Sequence, residues 1–442
     1  KLIGDKTHLF DLAKTLMQLQ VVTGIIGEVK GKGSDAKMVA EMMIKLRAEL
    51  GMQDEERHCE HVIGTLILID RESDMVTPML TQLTYGGLID DTWGIKDGVS
   101  SIPGHIVPGR HQHTGERDMM IKVPLNASDP LFSVIRDLPV KGCEAVIKEK
   151  QLNTTDVGES VYGEESFSFN GYGNASIAPS PQPGDIQRFN LHSALCSYLL
   201  ALTRNSTFIR QVQVEHALLQ GAISYEDAME FIDEMMYRRQ PFGRVLRLLS
   251  LVSTLCGGIR KFTDYKRELI QVYGFEFMFA LQNLEKGGLL KANKSSKVTS
   301  FVGAVASVSG MNATKATNAQ WDRVKQALNI VPYFTDDKKF DPNFIDAGLS
   351  ELFGGIVPVT IRLVQKALFP PKEGWLSLES ELKDVPGPLF EAYQPTGRED
   401  DNKAVKNIFV LFVGGITWAE ISGLRFLAAH YNKTRRTSSA EL

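Results

Sequence analysis

Cysteine is scarce in this chain: four residues in 442, at Cys59, Cys143, Cys196 and Cys256, widely spaced and with no CxxC pair. That spacing argues against a disulfide scaffold or a thiolate zinc knuckle and fits free thiols buried in a reducing compartment. Long hydrophobic runs are also missing. Nothing approaches the roughly 18 to 20 apolar residues that span a bilayer, and the best run, Ile408 to Val413, has the length of a strand. Neither sign of charge dominates: 49 basic against 53 acidic residues leave a formal charge of -4, which argues against nucleic acid as the main partner. No signal peptide opens the chain, but the first residue is Lys1 rather than Met, so the sequence reads as a fragment. The sequons at Asn126, Asn174 and Asn205 would matter only in a secreted protein. What remains is ordinary: 43% hydrophobic and 23% charged residues, with length for two or three domains and a substantial core.

The richest stretch runs from Leu66 to Gly94. Leu66 to Ile69 form an unbroken β-prone run with no charge to face water, the mark of a strand buried on both faces. At its end come Asp70, Arg71, Glu72 and Asp74, then Thr77-Pro78, which forces a change of direction. Polar residues at the carboxyl end of a parallel strand sit where α/β proteins usually place their sites.

Upstream, Leu9, Leu12, Leu16 and Leu19 recur at helical spacing. A glycine-bearing loop, Gly27 to Gly33, leads to a helix over 35–50 whose Met38, Met42 and Leu46 stripe suits a sheet face. Helix, strand and loop in this order predict a parallel α/β layer. Residues 124–150 turn helical; 153–184, rich in Ser, Gly, Asn and Pro, reads as a flexible insert. Helical pattern resumes at Asp185, with Phe189, Leu195, Leu199 and Leu202 on one face, and continues through 208–220, 224–237 and 244–255. Ser224 and Asp227 suit a capping box. The block 262–291 is helical and ends at Gly287-Gly288; 291–317 reads as a flexible linker. Trp321, Val324 and Leu328 mark a short helix, and another over 360–368 stops before Pro370-Pro371. Near the end, Ile408 to Val413 is a buried strand, Gly414-Gly415 a tight turn, Thr417 an N-cap and Glu420 its capping-box partner. The following helix turns Ile421, Leu424 and Leu427 inward.

Candidate chemistry competes with simpler readings at each position. Asp70, Asp74, Asp90 and Asp91 could gather a hard cation, which needs several converging oxygens; alternatively Asp70 and Arg71 brace the strand-to-loop turn. Gly27 to Lys32, GEVKGK, has three residues between its glycines where a P-loop needs four, and Gly33 rather than Ser or Thr follows the lysine. Gly414-Gly415 could admit a phosphate at a helix N-terminus or simply make a βα turn. His105, His111 and His113 lie in a Gly/Pro-rich loop without the secondary-structure support of a zinc site. No Gly-x-Ser-x-Gly elbow is present. Arg238-Arg239 and Arg435-Arg436 are short basic runs without interleaved aromatics. The enzyme reading is thus a nucleotide- or metal-dependent protein with a Rossmann-like sheet.

A second reading comes from wording. The strand ending in Asp70-Arg71, then Asp74, Thr77 and Pro78, Gln82-Leu83-Thr84-Tyr85 and Gly87-Leu88-Ile89-Asp90-Asp91 resembles the Sec/Munc (SM) family of syntaxin-binding membrane-fusion proteins. Within it, the vacuolar protein sorting branch is nearest, and of that the 33B subtype. Gly31 to Met38, Asp264-Tyr265-Lys266, Tyr273-Gly274, Asn283-Leu284, Gly288-Leu289-Leu290, Leu328 to Pro332 and Phe412 to Phe426 extend the resemblance along the chain. It implies an arch of three domains, the N-terminal one missing here. The second would be a discontinuous α/β domain, 1–122 and 359–442, cut short at its C-terminus; the third a mainly helical domain, 123–358. It further implies a scaffold with no catalytic residue, cofactor or metal. Asp70, Arg71, Asp74, Thr77, Pro78, Gln82, Tyr85, Gly87, Asp90, Asp91, Gly414, Gly415 and Glu420 would then be structural. Implied partners are SNARE proteins including syntaxins, templated on a hairpin rising near Leu131 and returning near Phe189. A solenoid subunit resembling vacuolar sorting protein 16 (VIPAR or SPE-39 type) would bind at Tyr265, Tyr273, Phe275 and Phe277. The implied location is cytoplasmic, peripheral on late endosomes and lysosomes through partners. The 153–184 segment departs from the long charged helical pair expected there.

Overall fold

The computed structural model describes residues 5–50, 62–108, 119–159, 183–293, 318–332, 345–394 and 407–440. Cys59, His111, His113, Asn174, the Arg435 and Arg436 side chains, and most of 153–184 and 291–317 lie outside them.

The chain opens with helix α1 (Thr7–Thr23), strand β1 (Glu28–Lys32), α2 (Ser34–Leu50) and β2 (Ile63–Asp70). Next come α3 (Tyr85–Trp93), the hairpin strands β3 (Val99–Pro103) and β4 (Met120–Pro124), and α4 (Pro130–Ile135). The helical run is α5 (Val140–Glu159), α6 (Pro183–Thr203), α7 (Ser206–Gln220), α8 (Tyr225–Tyr237), α9 (Phe242–Leu255), α10 (Phe262–Tyr273), α11 (Met278–Lys286), α12 (Ala319–Ala327), α13 (Ile345–Leu352) and α14 (Val359–Leu368). Strands β5 (Leu389–Tyr393) and β6 (Asn407–Val413) and helix α15 (Trp418–Ala440) close the described chain.

The main sheet has the order β5-β1-β2-β6. β2 lies parallel to both β1 and β6, while β5 runs antiparallel to β1. The apolar run in β2 is unbroken because both of its faces are covered. Leu66 and Leu68 pack with Val29, Val39 and Met43 beneath α1 and α2; Ile67 and Ile69 join the large core of α7–α9, α14 and Trp375. A third core joins α3, the β3–β4 hairpin and α4–α6. Apolar packing therefore crosses residue 122 and residue 359 without a break.

Several expectations shift. In α2 the buried stripe is Ala36, Val39, Ala40, Met43 and Arg47, one position round from Met38, Met42 and Leu46, which are half-buried. The burial of Arg47 is local: its Nη1 donates to Gln394 Oε1 at 3.0 Å. β6, expected buried, is half-buried from Ile408 to Phe412, because among the described residues only β2 pairs with it. In α15 it is Ala419, Glu420, Ser422 and Leu427 that turn inward; Ile421 and Leu424 are half-buried. α5 continues helically to Glu159, into the stretch read as flexible, and α6 starts at Pro183, whose fixed φ and absent N–H suit a first turn. Both capping boxes form: Asp227 N donates to Ser224 Oγ at 3.1 Å, while Glu420 N donates to Thr417 Oγ1 at 3.2 Å.

Candidate functional site

β2 delivers Asp70 into the place where a phosphate would bind. Its fully buried carboxylate accepts from Asp35 N at 2.9 Å, in the first turn of α2, and from Glu72 N at 3.0 Å. A helix N-terminus of this kind attracts anions, and here the chain's own carboxylate fills it. Gly33 (φ +115°) permits the approach: a Cβ there would lie 2.0 Å from Asp70 Cβ.

Arg71 ties the strand end to α15, 349 residues along. Its Nε and Nη2 donate to the Asp74 carbonyl at 2.9 and 2.6 Å, and its Nη1 to Glu420 Oε2 at 2.8 Å. Glu420 is itself fully buried; Thr417 N and Oγ1 also reach its Oε2, each at 2.9 Å, and Thr360 Oγ1 donates to Oε1 at 2.5 Å. The α15 N-terminus, set by the Gly414-Gly415 turn (φ +103° and +106°), is therefore occupied as well. Burial alone would lower the Arg71 pKa, but the Asp74 and Glu420 carboxylates outweigh it and hold it raised. The guanidinium therefore stays charged.

The other motif residues point apart, Asp74, Thr77, Gln82, Tyr85 and Gly87 buried and Asp91 exposed. Asp74 accepts from Val76 N, Thr77 N and Thr77 Oγ1 at 3.0, 2.9 and 2.6 Å, shaping the 3-10 turn that holds Pro78. Gln82 Oε1 accepts from Ala419 N at 3.0 Å. Thr84 caps α3 by accepting from Gly87 N at 3.2 Å, and a Cβ on Gly87 would stand 2.8 Å from that hydroxyl. Asp90 accepts from Ile95 N at 2.8 Å, and Asp91 takes both Nη atoms of Arg247 on α9 at 2.6 and 3.0 Å. Tyr85 hydrogen-bonds His192 Nδ1 at 2.8 Å. The four aspartates thus go to separate partners. Among the described residues, no three His, Cys, Asp or Glu are grouped to hold a metal. Lys32, the lysine of GEVKGK, turns into the core and donates to the Leu382 carbonyl at 3.0 Å; burial lowers its pKa. Asp70, Arg71, Glu72 and Gly414 border a cleft of about 1050 Å³, whose other walls include Lys6, His8, Leu9, Leu12, Met75, Leu246, Leu284 and Leu289. With both helix N-termini filled from within, the polar motif braces the fold.

Of the aromatic residues singled out for a partner, Tyr265 is nearly buried and donates to Asp233 Oδ1 at 2.7 Å. Tyr273 donates to the Gln240 carbonyl at 2.7 Å. Phe277 packs on Phe242, ring centroids 4.1 Å apart. Phe275 stands 66% exposed, and so does Phe279 one turn on, which the sequence reading omitted although FEFMF carries it at the i, i+4 spacing of a helix face. Three further groups went unread. Glu215 on α7 is buried and accepts from Thr81 N and Oγ1, both at 2.8 Å; burial raises its pKa against those bonds. His192 and Asp129 complete a chain with Tyr85. Their long-range partners, Thr81 for Glu215 and the Tyr85–His192–Asp129 links, lie at least 63 residues apart in sequence, so the pattern of neighbours does not reveal them.

His216, beside Glu215, lies under Gly354, and burial pushes its pKa below 6.5. The unfolded chain then binds a proton that the folded one refuses, so stability is full above about pH 6.5 and falls as the pH drops below it. His216→Gln is expected to narrow the difference in urea midpoint between pH 7.5 and 5.5. Equal differences in the two proteins would show that His216 carries no such linkage.

A model described as the Sec1 family matches residues 3–156 and 184–438. The chain belongs to the Sec1 family, the SM proteins. It is 31% identical to the vacuolar protein-sorting-associated protein 33 homolog of Arabidopsis thaliana over 96% of this chain and 67% of that protein. The same identity and coverages hold for vacuolar protein sorting-associated protein 33A of Rattus norvegicus. Identity is 26% to protein 33B of Mus musculus, over 96% and 68%. The chain thus spans about two thirds of these relatives' length. Among solved structures, it resembles the Unc18–syntaxin 1 complex from Monosiga brevicollis (TM-score 0.55, 14% identity, 94% of this chain and 66% of that one). It also resembles the SM protein Vps45 in complex with the Qa SNARE Tlg2 (TM-score 0.56, 13%, 95% and 65%). The α/β sheet with its large helical region is the SM fold.

Proposed function

We propose that this SM-family chain is a protein-binding scaffold that handles SNARE helices in vesicle tethering and fusion, at the endosome-to-lysosome step. One observation carries the reading: the family match brackets 157–183 and takes in both the sheet and the helices on either side. The α5–α6 pair so bracketed projects, with no α6 residue buried from 184 through 190. An exposed helical pair offers ridges and grooves to another helix, and holding that helix in register lowers the ordering cost of assembling a bundle. The syntaxin and Qa SNARE bound in the two similar structures support it.

Residues 1–122 with 359–442 act as one α/β domain carrying 123–358 as a helical insertion; the sheet built from both ends of the chain supports this. The solenoid subunit of the vacuolar sorting 16 type docks at the α10–α11 corner, where Phe275 and Phe279 are the exposed anchors and Tyr265, Tyr273 and Phe277 shape their seat. Relatives of both the 33A and 33B types align over the same span, so the 33B assignment rests on which solenoid the chain prefers. A cytoplasmic protein held peripherally on late endosomes and lysosomes by partners suits this role, and among the described residues no helix is long and apolar enough to cross a membrane.

Titration calorimetry with the solenoid subunit and with a Qa-SNARE helix tests the reading. Saturable binding to both is expected. Phe275→Ala with Phe279→Ala should weaken the solenoid complex by at least about tenfold, since buried aromatic anchors carry roughly 2 kcal/mol or more each, and spare the SNARE contact. A folded wild-type chain that bound neither would end the proposal.

A further inference from the structure

The root of the α5–α6 pair is pinned by a buried polar chain. Asp129 caps α4, its Oδ1 accepting from Leu131 N at 2.9 Å and Phe132 N at 3.0 Å. Its Oδ2 lies 3.0 Å from His192 Nε2 on α6, and His192 Nδ1 lies 2.8 Å from the Tyr85 hydroxyl on α3. His192 and Tyr85 have no exposure. Although burial acts upward on it, Asp129 is held below the ordinary carboxylate range by His192 and the cap amides, so it accepts. The imidazole tautomer with its proton on Nε2 satisfies both neighbours, Nε2 donating to Asp129 and Nδ1 accepting from Tyr85. The Tyr85 hydroxyl stays protonated, because burial pushes its pKa far up. Phe132 stacks on the imidazole, ring centroids 6.1 Å apart and planes 17° apart, which leaves the ring little freedom to turn.

Beyond this point the described α6 side chains from 184 to 190 are exposed or half-buried, and among them Phe189 packs on the core. α5 is rooted at Cys143, whose Sγ meets the Ile135 carbonyl at 3.5 Å, and runs on to Glu159. At 1.5 Å per residue that arm is about 24 Å long, so a 10° tilt at the root moves its end by about 4 Å, most of one helical turn.

We propose that Tyr85, His192 and Asp129 form the pivot that sets the angle at which α5–α6 leaves the sheet region, and with it the register offered to a SNARE helix. The second clause rests on the scaffold reading. Tyr85, His192 and Asp129 are positioning residues: they touch one another, and the projecting arm carries their effect.

The test uses nitroxide labels on unnatural amino acids at Ile186 and Lys45, both exposed, with distances read by double electron–electron resonance. Wild type should give one narrow distribution. Tyr85→Phe and His192→Leu should shift or broaden it by about 1.5 Å or more, the displacement that a 10° tilt gives at Ile186, six residues from His192, with circular dichroism unchanged. His192→Gln, whose amide can donate to Asp129 and accept from Tyr85, should restore the wild-type distance. Affinity for the Qa-SNARE helix should fall about tenfold in the two shifted variants, and solenoid binding should hold. Wild-type distributions in folded Tyr85→Phe and His192→Leu would overturn the pivot. Failure of one variant to fold leaves the other to decide against His192→Gln. Absence of SNARE binding by wild type would defeat the scaffold reading alone, because the distances decide the pivot.

Discussion

Glu420→Ala is expected to cost about 3–5 kcal/mol, the usual result of removing one partner from a buried ion pair. The loss exceeds that of a surface bridge, at roughly 0–1 kcal/mol, because Glu420 is fully buried and Arg71 nearly so. Arg71 would keep its two bonds to the Asp74 carbonyl and the Asp74 carboxylate 3.9 Å away, while Thr360 Oγ1, Thr417 N and Thr417 Oγ1 lose their acceptor. Against a total stability of about 5–15 kcal/mol, this is a large share, and urea unfolding should show it directly. Glu420→Gln keeps one acceptor oxygen and should lose less. If Glu420→Ala shifted the midpoint by under about 1 kcal/mol, the clamp between β2 and α15 would be marginal and the motif would need another explanation.

Gly33→Ala is expected to cost about 3 kcal/mol or more. An alanine at φ +115° is strained by roughly 1–3 kcal/mol, and its Cβ would overlap Asp70 Cβ at 2.0 Å, adding overpacking of similar size. Asp70 belongs to a strand buried on both faces and has nowhere to retreat. It would leave the α2 N-terminus, and hydrogen exchange at the Asp35 amide should accelerate with the loss of its 2.9 Å acceptor. Unchanged exchange there, in a protein of wild-type stability, would show that Asp70 does not plug that helix.

The thiols behave as their scarcity suggested. Burial raises the Cys143 pKa strongly and pushes Cys196 and Cys256 up to about 11, so at neutral pH only about one in ten thousand of the latter two is thiolate. Among the described residues that fits the reading of buried free thiols at Cys143 and Cys196, while Cys256 is half-buried.

Local chemistry was readable from the residues. The capping boxes at Ser224 and Thr417, the strand at Leu66 to Ile69, the stop at Gly287 and the turn at Gly414-Gly415 each need only neighbours within a few positions. Length and alternation likewise sufficed for an α/β layer beside a helical region. Direction and burial were another matter. Which way Asp70 faces depends on Asp35, 35 residues off; which end of Arg71 is satisfied depends on Glu420, 349 residues off. The α2 stripe moved by one position because β5 lies close enough for Gln394 to take up Arg47. β6 is half-exposed because the sheet order puts it at an edge, and an apolar run reads the same in the middle of a sheet or at its side. Among the aromatics, the FEFMF repeat named the surface, but only packing against Phe242 separates the seated Phe277 from the exposed Phe275 and Phe279. The sequence by itself determined most of the helices, the strands at Leu66 and Ile408 and the family, since these depend on short-range sterics and on residue order. It missed β3, β4 and β5, and Gly27 to Gly33, read as a glycine-bearing loop, holds strand β1, which pairs with β2 and β5. Tertiary structure alone decided that the aspartates brace helix ends and turns, each with its own donors, because a carboxylate's role is fixed by the donors that fold against it.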